Sequence, residues 1–409
     1  MDAYVVAIAG DGDEVERRRP LLAPTNEIHP YPEPPLPPQP PGTDAKPEQQ
    51  KPQRVASLDV FRGLTVAMMI LVDDAGGAWP GINHAPWFGV TVADFVMPAF
   101  LFIIGVSAAL VFKKTPNKIA TSKKAAYRAI KLFILGIILQ GGYIHGRHNL
   151  TYGVDLDHIR WLGVLQIHCD VRGSLGPPCN AVGFVDRFLL GENHLYKNPV
   201  YKRTKECSLN SPDYGPLPPN APDWCLAPFD PEGLLSTLMA AVSCFVGLHF
   251  GHVLIHCKNH SQRMMSWLVA STVLTVSGFL LQLLGVPFSK PLYTVSYMLL
   301  SGGVSGFLLL VLYYVVDVMH IKKPLVLFQW MGMNALIVYV LAACELFPTL
   351  IQGFYWQSPE NNLVDATESL LQIIFHSERW GTLAFVLVEI IFWCLAACFL
   401  HMKGIYLKL

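Results

Sequence analysis

Long, nearly unbroken apolar runs decide what this chain can fold into. A helix crossing the hydrocarbon core of a bilayer needs about 20 mostly apolar residues. The stretches "VTVADFVMPAFLFIIGVSAALVF" and "YTVSYMLLSGGVSGFLLLVLYYVV" each supply them. The pattern recurs over 57–77, 90–112, 127–145, 233–256, 265–285, 293–316, 325–348 and 381–402. It predicts an all-α, polytopic helical membrane protein with about 8 transmembrane helices. Composition agrees: 52% of the 409 residues are hydrophobic and 15% are charged, against about a quarter charged in soluble domains. The 30 basic and 30 acidic residues cancel, so no basic surplus exists to neutralise phosphates, and a nucleic-acid partner is not expected.

Residues 1–53 read differently. "HPYPEPPLPPQPPGTDAKPEQQKPQ" is proline-rich, polar and almost free of aliphatic side chains. It cannot bury enough apolar surface to offset its ordering entropy, which predicts a disordered cytosolic tail. A PxxP ligand for an adaptor domain is the other reading. "YVVAIAG" is too short for the apolar core of a signal peptide. Residues 54–409 then form one membrane domain.

Basic residues orient the spans, because cytosolic loops are enriched in lysine and arginine. Lys113, Lys114, Lys118, Lys123 and Lys124 follow the second span, Lys258 and Arg263 the fourth, Lys322 and Lys323 the sixth, and Lys403 and Lys408 the last. The alternate loops are poor, with only Lys290 in 286–292 and only Arg379 in 349–380. Both termini are therefore expected in the cytosol, with the His84 loop and a long loop over 146–232 on the opposite side. That loop carries the sequon Asn149-Leu150-Thr151 and Cys169, Cys179, Cys207 and Cys225. Four cysteines there fit an oxidising lumen or exterior; three pairings are open, as are unpaired thiols. Cys244, Cys344, Cys394 and Cys398 fall within spans and read as packing residues.

Titratable groups beside a lipid core are costly and so are candidates for chemistry. Asp73, Asp74, His84 and Asp94 gather around the first loop. His84 in "INHAPW" titrates near neutrality and can take and return a proton, oriented by a carboxylate such as Asp73; the alternative is a solvated loop histidine. Asp94 is either a site residue or a helix-start residue favoured by the helix dipole. Arg54, Asp59 and Arg62 form either a basic anchor with an ion pair or an anion site for a phosphorylated cofactor, since arginine's fork suits phosphate. Glu345 and Glu389 lie within spans. His249, His252 and His256 share a helix face, but no thiolate or carboxylate with ligand spacing accompanies them, so no metal is expected.

Taken together, "SLDVFRGLTVAMMILVDDAGG", "NHAPWFGVTVADFVMPAFLFIIG", "VRGSLGPPCNAVGFVDRFLLGENHLYKNPVY", "APFDPEGLLSTL" and "GMNALIVYV" resemble the heparan-α-glucosaminide N-acetyltransferase family, in order from about 54 to 409. The resemblance implies a transmembrane acyltransferase moving acetyl from cytosolic acetyl-CoA, a co-substrate, to an amino-sugar or glycan acceptor on the lumenal side. It implies that His84 is catalytic, with Trp87, Gly89, Thr91, Ala93 and Asp94 in register. Asp73, expected with His84 as a catalytic residue that orients the ring, stands where the animal enzyme has asparagine, and Arg62, Asp94 and Asn334 become cofactor-pocket residues. An endomembrane of lysosome or vacuole type, or the plasma membrane, is implied, with lipid as a partner and a homo-oligomer compatible. The animal enzyme's signal peptide, lumenal amino-terminal domain and extra first helix have no counterpart, which looks more like plant or bacterial relatives. Family members also continue from "IRWLGVLQ" into about two further helices, whereas here "IHCDVRGSLGPPC" follows Gln166 almost at once. The rivals are a membrane carrier without covalent chemistry, and a family product inactivated by that loss.

The orientation has a direct check. Glycan is expected on Asn149 and not on the second sequon, Asn259-His260-Ser261, which falls on the cytosolic side, and a cysteine introduced at position 210 should resist labelling from the cytosol. Glycan on Asn259, or cytosolic labelling at 210, would invert the topology.

Overall fold

The computed structural model describes residues 55–79, 81–114, 118–141, 144–145, 151–152, 175–177, 180–190, 195–196, 198–343 and 346–407. The expected tail over 1–53 lies outside the described residues, as do Asn149, Cys169, Cys179, Cys344 and Glu345.

The described chain is mainly helical, with irregular connections, a two-residue ladder pairing β1 (Ile144–His145) with β2 (Thr151–Tyr152) and one isolated bridge between Tyr355 and Asn362. The first three helices are α1 (Ala56–Ala75), α2 (Val92–Lys114) and α3 (Lys118–Gly141). Then come α4 (Ala181–Leu190), α5 (Leu234–His256), α6 (His260–Leu283) and α7 (Val295–Tyr313, extended by a wider turn over Tyr314–Val318). The last five are α8 (Val326–Met333), α9 (Ala335–Val338), α10 (Leu346–Gln352), α11 (Leu363–Phe375) and α12 (Glu378–Met402).

Five helices are long and apolar enough to cross a membrane: Val92–Lys113, Leu234–His256, His260–Leu283, Val295–Val318 and Glu378–Met402. These match five of the eight expected spans. The seventh is not one helix. Lys323–Met333 and Ala335–Ala342 meet at a bend of 73°, giving at most six spans by length and composition among the described residues. The break falls at Asn334, whose backbone is non-helical (φ −113°, ψ 24°). Its carbonyl accepts from Ile337 N and Val338 N, so Asn334 closes α8 and opens α9. The first and third expected spans are helices of 20 and 24 residues, but charge dilutes them. Asp59, Arg62, Asp73 and Asp74 lie in α1, and Lys118, Lys123, Lys124, Arg128 and Lys131 in α3. Residues 122–134 of α3 are exposed throughout.

Lipid gives no hydrophobic drive for one helix to seek another, so close packing of small residues holds membrane helices together. Three pairings here use it. A Cβ at Gly63 would lie 1.8 Å from Phe328 O, and one at Gly332 would lie 1.8 Å from Asp59 O, so α1 and α8 touch backbone to backbone. Cβ atoms built on Gly105 and Gly247 would each lie 2.0 Å from a carbonyl of the other helix, Cys244 O and Phe102 O. With Gly251 against Ala109, the contacts advance together along α2 and α5, so these helices run parallel. Gly278, Gly303 and Gly306 seat α6 against an antiparallel α7. Phe61, Phe102, Phe250, Trp267 and Leu309 fill the core among α1, α2, α5, α6 and α7. Val66, Met331, Val386 and Trp393 fill a second core among α1, α8 and α12.

These glycines should tolerate no side chain. Gly332→Val is expected to lower the thermal unfolding midpoint of the purified protein in detergent, because overpacking costs about 1–3 kcal/mol or more where backbone cannot give way. Gly77→Ala, with nothing within 4 Å of the added Cβ, should leave it unchanged. Equal midpoints for the two variants would refute the close α1–α8 contact.

Candidate functional site

The end of the bundle where α2 begins collects the candidate chemistry. Thr91 precedes the first turn of α2, and Asp94 reaches back to it. Thr91 N and Thr91 Oγ1 donate to Asp94 Oδ2 at 3.0 and 3.1 Å, and Asp94 N donates to Thr91 O at 3.2 Å. This is one half of a capping box: the side chain at the third helical position reaches back to the N-cap N–H, while Thr91 Oγ1 donates to the same carboxylate and does not accept from Asp94 N. Ala85 N adds a third donor to Oδ2 at 3.2 Å. Asp94 is fully buried, at 0% exposed. Its second oxygen, Oδ1, lies 2.8 Å from His84 Nδ1. A carboxylate only accepts, so Nδ1 donates and the lone pair resides on Nε2. The His84 side chain is 30% exposed, so the ring is partly open to solvent.

The His84 loop is held from several sides. Asn83 Oδ1 accepts from His84 N at 2.8 Å. Arg203, itself only 3% exposed, donates through Nη1 to Asn83 Oδ1 at 3.1 Å and to His84 O at 3.0 Å, and through Nε to Pro212 O at 2.8 Å. Arg203 ends a short 3-10 turn, Val200–Arg203, that the Cys207–Cys225 disulfide ties to the following segment. That bridge is one of the pairings the sequence left open. Trp87, Tyr201, Cys207, Cys225, Phe229 and Leu292 pack as one apolar cluster below the loop. Gly89 turns the chain at φ +99°, a left-handed value that favours glycine, and its N–H donates to Phe288 O at 2.9 Å. A shallow groove of about 380 Å³ opens just beyond, lined by Pro86, Trp87, Phe88, Thr204, Lys205, Ser211 and Pro212.

Lys290, from the loop between α6 and α7, completes the cluster. Its Nζ lies 3.2 Å from His84 Nδ1 and 3.4 Å from Nε2. Burial pulls its pKa below the usual lysine range, while Asp94, Glu232 and Asp73 favour the charged form and oppose that shift.

The other expected site residues lie elsewhere. The carboxylate bonded to His84 is Asp94; Asp73 is exposed at the end of α1, close enough to Lys290 to bear on its charge. Arg62 is paired with Asp59 at 3.1 Å and donates to Ser107 Oγ at 2.8 Å. Ser107 sits about 20 Å along α2 from Asp94 at 1.5 Å per residue, so Arg62 marks the opposite end of the helix. Asn334 is 2% exposed and its Nδ2 approaches Ala397 O on α12 at 3.5 Å. Glu389 accepts from Trp393 Nε1 at 3.1 Å. His252 and His256 stack ring on ring at 5.8 Å. No group of three or more His, Cys, Asp or Glu able to hold a metal ion occurs among the described residues. Sequence reading missed Arg203 and did not place Lys290 in the site. Arg203 carries no motif signal, whereas Lys290 shows as the one basic residue in 286–292.

Residues 54–153 match the family model described as heparan-alpha-glucosaminide N-acetyltransferase, catalytic. The chain is 28% identical to the Homo sapiens protein of that name over 427 aligned positions, covering 84% of this chain and 60% of the relative. Against the Mus musculus protein it is 26% identical, with 85% and 61% covered. The resemblance read from the motifs is borne out, and the chain spans about 60% of the length of these curated relatives. The human alignment runs over 427 positions although only 84% of this 409-residue chain takes part. The relative therefore carries residues within the matched stretch that this chain lacks.

Proposed function

We propose that this chain, a relative of the heparan-α-glucosaminide N-acetyltransferases, is a membrane acetyltransferase that moves acetyl from acetyl-CoA to the amine of an amino sugar. The observation that carries this reading is the His84–Asp94 pair. It lies within the segment matching the catalytic family model, and its geometry leaves the lone pair on Nε2 of a partly exposed ring.

The chemistry then needs only groups that the chain and its substrates supply. Nε2 takes a proton from the acceptor amine as the amine nitrogen attacks the thioester carbonyl carbon. The new C–N bond pushes the carbonyl π pair onto oxygen. Collapse re-forms C=O and breaks C–S, and the departing thiolate takes the proton from the imidazolium. The products are the N-acetyl sugar and the free thiol. Asp94 holds the ring in the productive tautomer and favours its transient charge, as the carboxylate of a catalytic triad does. The nucleotide end of the donor is assigned to the Arg62 end of α2, about 20 Å away by the helix rise.

The site is assigned to the lumenal side, with both termini cytosolic. In support, Arg203, which clasps His84, lies four residues before Cys207, and disulfides persist in oxidising compartments. The lysine bias of the loops points the same way. A second reading, a family product without activity, draws on the residues that the human relative has and this chain lacks. Restoring about two helices after Gln166 and comparing transfer by the two forms separates these readings.

Transfer from labelled acetyl-CoA to glucosamine, per folded molecule, tests the assignment. His84→Ala should cost about a hundredfold to ten-thousandfold, the range for loss of a general base. Asp94→Asn should cost a comparable factor by upsetting the tautomer, whereas Asp73→Leu should stay within a few-fold of the parent. Near-normal turnover in His84→Ala, or a loss confined to Asp73→Leu, would overturn the assignment.

A further inference from the structure

We propose that Lys290 is a second catalytic residue of this site, its ammonium group stabilising the oxyanion of the tetrahedral adduct that forms beside His84. The inference rests on the acetyltransferase reading and names a role that the reading itself does not require.

Geometry comes first. Lys290 Nζ lies 3.2 and 3.4 Å from the two ring nitrogens of His84. Near-equal distances mean that the amine is aligned on neither lone pair, so it sits beside the ring without being locked to one atom. Nδ1 is already committed to Asp94 at 2.8 Å. The acceptor amine must approach Nε2 to lose its proton, and the carbonyl carbon it attacks is one bond further on. An oxygen on that carbon falls within the reach of a lysine amine that touches Nε2.

Charge comes second. A largely covered ammonium is costly unless it is paired or serves chemistry, and Lys290 is half-buried. Among the described residues, the polar side-chain atoms nearest Lys290 Nζ are the two ring nitrogens of His84, of which only Nε2 has a lone pair to offer. The charged and titratable groups around it come from four different elements. Asp73 ends α1, His84 lies in the following loop, Asp94 starts α2, and Glu232 precedes α5. The three carboxylates favour the charged form of the amine, Asp94 most and the exposed Asp73 least. Such a charge, prepositioned and free to turn toward an oxyanion, is the arrangement that electrostatic catalysis requires.

The loop is built to hold it. Ser289 N donates to Thr294 Oγ1 at 3.2 Å, and Thr294 Oγ1 donates to Pro287 O at 2.9 Å. Ser236 Oγ of α5 donates to Pro291 O at 3.2 Å, and Gly89 of the His84 loop bonds Phe288 O. The Lys290 loop is thus tied both to α5 and to the loop that carries His84.

The test uses the 409-residue chain, with His84→Ala, Lys290→Met and Lys290→Arg beside it. Lys290→Met is expected to lower kcat about a hundredfold, as loss of one oxyanion donor does, with KM for acetyl-CoA little changed. The alkaline limb of the parent's kcat profile should fall below the usual lysine range. There the amine loses its proton and, with it, the charge that stabilises the oxyanion. In Lys290→Arg the limb should move upward, because arginine keeps its proton. Should transfer by this shortened form be too slow to follow, carbethoxylation of His84 by diethyl pyrocarbonate, read by mass spectrometry, passes through a tetrahedral adduct at the same ring. It should be slower in Lys290→Met than in the parent. If His84→Ala retains activity, the acetyltransferase site assignment fails. If His84→Ala is inactive while Lys290→Met turns over normally, only the role of Lys290 fails. An alkaline limb shared by the parent and Lys290→Arg, or an undiminished rate of carbethoxylation in Lys290→Met, likewise overturns it.

Discussion

The bond from Asp94 to His84 organises the end of the molecule where chemistry is assigned. Asp94 cannot be moved cheaply, because its other oxygen caps α2 through Thr91 and takes Ala85 N as well. One buried carboxylate therefore sets where a membrane helix begins and which way an imidazole faces. The orientation of His84 inherits the rigidity of α2, and α2 inherits its place from the glycine contacts with α5. That continuity, from helix packing to ring tautomer, is what a preorganised site needs.

The segment around Arg203 supplies the other half of the constraint. A loop histidine is ordinarily mobile, yet here its backbone carbonyl accepts from a buried arginine whose own segment is bridged by Cys207–Cys225. Breaking that bridge would loosen the clasp on Asn83 and His84 without touching the imidazole. The loop from α6 to α7 is tied to the His84 loop through Gly89 and to α5 through Ser236, so Lys290 joins the unit that His84, Asp94 and Arg203 form.

Much of this was legible in the sequence, and the limits have physical causes. The apolar runs located five spans closely because a bilayer imposes length and composition with little freedom. The seventh was misjudged as continuous, since a hydropathy window sees the apolar content around Asn334 and not its backbone angles. His84 and Asp94 stood out as titratable residues in an apolar setting. Asp73 looked the better partner for the histidine because both were taken to close the same loop. What decided otherwise is the turn through Gly89, which brings residue 94 back onto residue 84. Arg203 lies 119 residues from His84 and Lys290 lies 206 residues away, and no local pattern announces a contact over such separations. Lys290 was visible only as an oddity, a lone lysine in a loop otherwise free of basic residues.

The orientation of His84 can be read without turnover. With nitrogen-15 histidine incorporated and the His84 signals assigned by their loss in His84→Gln, the shifts of the neutral ring report which nitrogen carries the proton. A protonated Nδ1 and a free Nε2, exchanging places or averaging in Asp94→Leu, are expected from the 2.8 Å bond to Asp94. A neutral His84 protonated at Nε2, with shifts indifferent to the loss of Asp94, would contradict the arrangement on which the proposed chemistry depends.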